Sequence, residues 1–231
     1  DVLKGGYDKA TQANCLIVGG HTVDDAEPKY SLSVVGLVEP GKEVSNANAQ
    51  PGDALVLTKP IGTGIIATGA KAGTTPDAIM KHAVETMAEL NKNASEAMVR
   101  VGVNSCTDIT GFGLMGHLRG MVKGSGVGAN IRVGDVPVLR GTWDLLEKGT
   151  VPGGTFRNMS GVEDTVDWDD RLSDQQRLLM CDAQTSGGLL ISVPKAKLDQ
   201  LLSELAISSV ETRAVVGEIT ADNSGRIRVT V

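Results

Sequence analysis

The sequence predicts an α/β fold of the α+β kind, and three observations carry that prediction. Short apolar runs suited to buried strands alternate with longer segments whose apolar residues recur at helical spacing. Twenty-nine glycines are spread over 231 residues without a low-complexity tract, as expected where many tight turns join such elements. A polar stretch from Ser45 to Gly52 divides the chain and marks a domain boundary.

Residues 1–13 read as the tail of a helix. Leu16-Ile17-Val18, ended by Gly19-Gly20, reads as a buried strand entering a loop, and the partly alternating residues 30–38 as a second strand. After the linker, Ala54–Thr58 is a strand, followed by a glycine loop and a helix ending near Gly73. Thr75-Pro76 is a helix start that opens one long helix over 76–100. A strand is expected over 106–109, a helix over 111–123 and a strand over 129–133. Ser173 and Gln176 have capping-box spacing for a helix running to about Cys181. A strand at 189–193, an amphipathic helix at 195–206 and strands at 210–219 and 226–231 around an Asp-Asn-Ser-Gly turn complete the chain. There is no internal repeat.

Composition narrows the function. The chain carries 22 basic and 28 acidic residues, net −6, with no Lys/Arg block and only 3% aromatic residues, which argues against a nucleic-acid partner. No apolar run reaches the ~18 residues of a membrane helix. An anionic ligand would need local devices such as glycine loops, helix N-termini or bound metal. Cys15, Cys106 and Cys181 lie far apart, fitting a reducing compartment and offering no zinc spacing.

Several motifs compete. Gly36–Glu43 (G-L-V-E-P-G-K-E) nearly matches a phosphate-binding P-loop, but Glu43 stands where the magnesium hydroxyl belongs and no helix follows. Gly62–Ala67 (G-T-G-I-I-A) has a dinucleotide-loop pattern between strand and helix. The next segment is helical where a second strand is needed, so a tight strand-to-helix turn is the better reading. Glu163, Asp164, Asp167, Asp169 and Asp170 read as a solvated acidic surface more readily than a cation site. His82 reads as surface and His117 as a packed side chain, whereas His21 follows Gly19-Gly20 where amides and imidazole can face an anion. Thr107–Gly113 (T-D-I-T-G-F-G) puts Asp108 at a strand end before a helix, as a magnesium carboxylate or as an N-cap. Asp182–Gly188 (D-A-Q-T-S-G-G) and Pro152–Asn158 add two more glycine turns.

Together these segments resemble the selenophosphate synthetase (selenide, water dikinase) family. G-G-H-T at 19–22, L-T-K-P-I-G-T-G at 57–64, T-D-I-T-G-F-G-L-M-G-H-L at 107–118, V-P-G-G-T-F-R-N at 151–158 and C-D-A-Q-T-S-G-G-L-L at 181–190 stand in family order. Ala183 departs from the family's usual Pro. The wider superfamily holds aminoimidazole ribonucleotide synthetase, thiamine-phosphate kinase and a hydrogenase-maturation protein.

The resemblance implies that residues 1–48 end an N-terminal ATP-binding domain whose β-barrel is shared in a homodimer. Residues 49–231 would form an α/β sandwich like that of aminoimidazole ribonucleotide synthetase. It further implies a cytoplasmic enzyme that converts ATP, selenide and water to selenophosphate, AMP and phosphate with Mg2+. Gly20, His21 and Thr22 would lie against ATP from the partner subunit, and Asp108 would bind metal. The family's nucleophile, essential Lys and other metal carboxylates would precede residue 1, so no catalytic residue falls in this chain and it is expected to be inactive alone. The rival readings are another ATP-dependent member of the superfamily and an inactive regulatory paralogue.

Overall fold

A computed structural model describes residues 1–231, which divide into two units, Asp1–Glu43 and Val44–Val231. In the first unit only α1 (Val2–Gln12) is regular. The strands expected at 16–18 and 30–38 do not form: both stretches lack a partner ladder and leave Val18, Val35 and Leu37 exposed. A strand exists through hydrogen bonds to its neighbour, so apolar alternation without one stays irregular.

The second unit is built on one seven-stranded sheet. Its strands are β1 (Ala54–Leu57), β2 (Ser105–Asp108), β3 (Gly128–Arg132), β4 (Val166–Trp168), β5 (Leu189–Val193), β6 (Ala214–Thr220) and β7 (Ile227–Thr230). They lie in the order β2-β5-β1-β6-β3-β7-β4, with β3/β7 and β4/β7 parallel and the other pairs antiparallel. Helices α2 (Thr63–Lys71), α3 (Asp77–Ala88), α4 (Lys92–Val101), α5 (Gly113–Ser125), α6 (Thr142–Glu147), α7 (Gly153–Gly161), α8 (Asp174–Met180) and α9 (Leu198–Ile207) connect them.

Both faces of the sheet are covered. Along β1, Leu55 and Leu57 join the core under α2, α5 and α8, while Ala54 and Val56 join a second core under α4 and α9. The period of two along a strand thus splits one apolar run between two layers, which is why β1 and β5 are buried at every position. No helix is long and apolar enough to cross a membrane.

The helix expected over 76–100 is two helices. Glu89 turns extended (φ −65°, ψ 132°) at the end of α3, and its carbonyl accepts a bond of 2.7 Å from the Lys59 Nζ. Asn91 then donates its side-chain amide to the Gly187 carbonyl at 2.9 Å. Tertiary hydrogen bonds outweigh continuity of the helix at that point. The last long strand starts at Ala214 instead of 210, and α6, α7 and β4 had no clear signal, being short and set among glycines and acids. The capping box forms as expected: Ser173 accepts from the Gln176 amide at 3.2 Å, and Gln176 accepts from the Ser173 amide at 2.9 Å.

Candidate functional site

At one end of β1, β2 and β5, the segments around 58–64, 107–113, 152–158 and 181–188 meet in a single knot of loops. Antiparallel pairing of β2 with β5 sets Asp108 opposite Leu189, and β1 with β5 sets Leu57 opposite Leu190. The loops leaving these strands therefore start side by side. The Ile109 amide donates to the Gly188 carbonyl (2.9 Å) and the Gln184 amide to the Thr110 carbonyl (3.0 Å).

The centre of the knot is a buried polar fork. The Gln184 carbonyl oxygen accepts from the amides of Gly62 (2.9 Å) and Thr63 (3.1 Å) and from the Thr63 hydroxyl (3.0 Å). Its amide nitrogen donates to the Asp182 carbonyl and carboxylate at 2.8 and 2.9 Å. Asp182, fully buried, also accepts from the amides of Gly64 and Ile65 and from the Thr155 hydroxyl. Its pKa is pushed up to about 6, because burial penalises the charge more than these donors relieve it.

The fork decides the fate of the G-T-G-I-I-A loop. The free amides at the start of α2 are those a dinucleotide pyrophosphate would use. Here Gln184 and Asp182 already occupy them, so the loop is a tight turn sealed by the protein's own carboxylate. Gly64 permits the approach: a Cβ there would lie 2.3 Å from the Ala183 carbonyl oxygen.

Asp108 has a different environment. It ends β2 and is exposed, with no α-helix amide capped by its side chain, so the N-cap alternative does not apply. Next to it, the Thr110 amide donates to His117 Nε2 at 3.1 Å, with the Thr110 hydroxyl at the same distance. Burial holds the His117 pKa below the ordinary value, with Asp108 opposing. Asn158 ties α7 to the same loop through the carbonyls of Gly111 (2.8 Å) and Cys181 (3.0 Å).

The remaining candidates have other settings. Gly20, His21 and Thr22 belong to the first unit and are exposed in a segment without helix or strand. His82 is exposed 4.0 Å from Glu85. The acidic cluster is a surface of ion pairs: Asp164 with Arg119 and Lys123, Asp167 with Arg226, and Asp169 with Arg171. No group of three or more His, Cys, Asp or Glu side chains is placed to hold a metal ion. Cys106 and Cys181 have thiol pKa values pushed up to about 12 by burial, so neither is a poised nucleophile. Sequence reasoning missed the tethers of the knot, Lys59, Asn91 and Thr155. Lys59 and Thr155 stand in motifs and Asn91 between two helices, and their partners lie 27 to 127 residues away.

Comparison with known proteins adds to this geometry. Residues 50–230 match the family described as AIR synthase related protein, C-terminal domain. The chain is 44% identical over 228 residues to the selenide, water dikinase of Carboxydothermus hydrogenoformans, covering 99% of this chain and 66% of that protein. It is 48% identical over 208 residues to the selenide, water dikinase of Caldanaerobacter subterraneus subsp. tengcongensis, covering 89% of this chain and 59% of that one. The chain thus spans about two thirds of the length of the curated relatives it matches. Among solved structures, a thiamine-monophosphate kinase from Stenotrophomonas maltophilia superposes with a TM-score of 0.60 at 13% identity, over 83% of this chain and 54% of that one. The hydrogenase maturation protein HypE in complex with ATP gives 0.55 at 18% identity, over 80% and 49%. These two likenesses establish the fold alone.

Proposed function

The chain belongs to the AIR synthase related family through its C-terminal domain, and from that premise we propose that it forms the larger part of an ATP-dependent selenide, water dikinase. The reaction would turn ATP, selenide and water into selenophosphate, AMP and phosphate. The observation that carries this reading is the loop knot itself. Four separated motifs close on one another through Asp182 and Gln184, and Asp108 is left exposed at the edge with no structural partner of its own. A carboxylate that does no packing or capping is available to a ligand.

Asp108 would supply one hard oxygen ligand to magnesium. By itself it makes no metal site, and the residues of this chain do not fit the ion without further donors. Those donors, the nucleophile and the essential Lys would come from the third of the relatives' length that this chain does not span. Gly20, His21 and Thr22 would face ATP from the partner subunit of a homodimer. A Cβ on Gly19 or Gly20 would meet nothing within 4 Å, so a ligand can approach that backbone closely. Three free cysteines support a cytoplasmic setting.

The test is phosphorus NMR of Mg-ATP with selenide, comparing this chain joined to its upstream segment with the 231-residue chain alone. The expected result is AMP, phosphate and a selenophosphate resonance from the longer chain only. Turnover that ignores selenide but requires another acceptor, such as thiamine monophosphate, would move the chain to another branch of the superfamily. No turnover with any acceptor would support a regulatory paralogue.

A further inference from the structure

Helices α3 and α6 each pack on α2 and leave a cleft of about 610 Å³ between them. That volume suits a small organic ligand. No residue of the four motifs in the knot lines it. Its wall is aliphatic: Leu145 is buried, and Ile79 of α3 lies over Gly141 at the start of α6. A Cβ at position 141 would come within 3.1 Å of the Ile79 side chain, so a larger residue there would push Ile79 off the wall.

The charges beside that wall alternate in sign. Arg140, Asp144 and Lys148 follow one another at four-residue spacing, so a positive, a negative and a positive group line the cleft about one helical turn apart. His82 lines it from α3. Such spacing ordinarily closes ion pairs. None of the three charges is paired, so the cleft presents both signs to a ligand. The helix dipole accounts for Asp144 in the first turn of α6 and for Lys148 at its C-cap. It does not account for Arg140, a cation placed immediately before the N-cap Gly141, at the wrong end of the dipole. Arg140 is exposed and does nothing for α6.

We propose that the α3–α6 cleft binds a free α-amino acid with a branched aliphatic side chain, its carboxylate on Arg140, its ammonium on Asp144 and its side chain against Ile79 and Leu145. The signs select this class. A simple carboxylate would gain Arg140 but face Asp144, and a simple amine would gain Asp144 but stand between two cations. A zwitterion, whose opposite charges are joined through one carbon, satisfies both groups at once. The guanidinium fork of Arg140 matches a carboxylate in bidentate fashion. Because the ligand has no net charge, its binding depends only weakly on salt. Nothing in this assignment depends on the dikinase reading, because it uses neither Asp108 nor the loop fork.

The experiment is a titration of the 231-residue chain with L-leucine, followed by amide chemical shifts and calorimetry. The comparison ligands each lack one part of leucine: 4-methylpentanoate has no ammonium, isopentylamine no carboxylate and glycine no side chain. Leucine should saturate in the millimolar range, with shifts on α3 and α6 and not on α5 or α7. Each comparison ligand should bind at least about fivefold more weakly, the loss of one contact. Arg140→Ala should weaken leucine by about tenfold and leave isopentylamine no weaker. Asp144→Asn should weaken leucine and tighten 4-methylpentanoate by about threefold, a pair of opposite changes that a damaged fold does not give. The proposal is overturned if leucine does not saturate, or if Arg140→Ala and Asp144→Asn leave its affinity unchanged. Binding of 4-methylpentanoate or isopentylamine as tight as that of leucine would also overturn it, by making the cleft a site for a simple ion.

Discussion

Two Gly-Gly pairs in this chain look alike on paper and differ in every physical respect. Gly187-Gly188 is packed against backbone: a Cβ on Gly187 would lie 2.2 Å from the Ile109 carbonyl oxygen, and one on Gly188 would lie 2.4 Å from the Lys59 amide nitrogen. Gly19-Gly20 faces open space, with nothing within 4 Å of either Cβ position. The first pair is there so that the protein can approach itself. The second has no atom of the chain within reach of either Cβ position. A glycine motif therefore signals close approach without saying who approaches, and only the surroundings decide between scaffold and site.

Substitutions sharpen that contrast, beginning with the scaffold. Gly187→Ala should cost the most, about 3–5 kcal/mol, since the clash is with backbone that cannot rotate away; urea unfolding of the second unit measures it. Asp182→Ala should cost about 2–4 kcal/mol by stranding the Gly64 and Ile65 amides and one arm of Gln184.

Asp182 also predicts a pH dependence. Its pKa is about 6 in the folded chain against 3.8 without the fold's influence. The native state thus binds more proton than the unfolded state between those values. This group's contribution is most favourable below about pH 4, falls by about 2–3 kcal/mol as pH rises through 6, and is level above that. In Asp182→Asn that fall should vanish from the unfolding free energy; a slope identical to that of the parent chain would clear Asp182 of responsibility.

Smaller effects follow further out. Asn158→Ala removes bonds to the Gly111 and Cys181 carbonyls and should cost about 1–2 kcal/mol. At the far end of the scale, Gly20→Ala should change stability by less than about 0.5 kcal/mol, while lowering turnover of the longer chain if ATP lies there. Gly20→Ala unfolding as readily as Gly187→Ala would erase the distinction between the two pairs.

Much of this was legible in the residues. The sheet of the second unit was readable because β1 and β5 are short, continuous apolar runs, and α8 because its capping box is local. The motifs that meet in the knot were all visible as glycine turns. Their meeting was not, because Gln184 reaches Gly62 across 122 positions and Lys59 reaches Ser186 across 127. For the same reason the break between α3 and α4 escaped notice: its cause is the Lys59 ammonium, not a local breaker. Residues 16–18 and 30–38 form no strand, because alternation reports what a segment can bury and not whether a partner strand is present.

The most direct test of the division between scaffold and site is the magnesium dependence of ATP turnover by Asp108→Asn, in the chain joined to its upstream segment. Turnover should fall by more than about tenfold at limiting magnesium, as for loss of a metal carboxylate, with the urea midpoint unchanged because Asp108 supports no packing. Unchanged turnover at limiting magnesium would take Asp108 out of the site, and an unfolded variant would make it part of the scaffold after all.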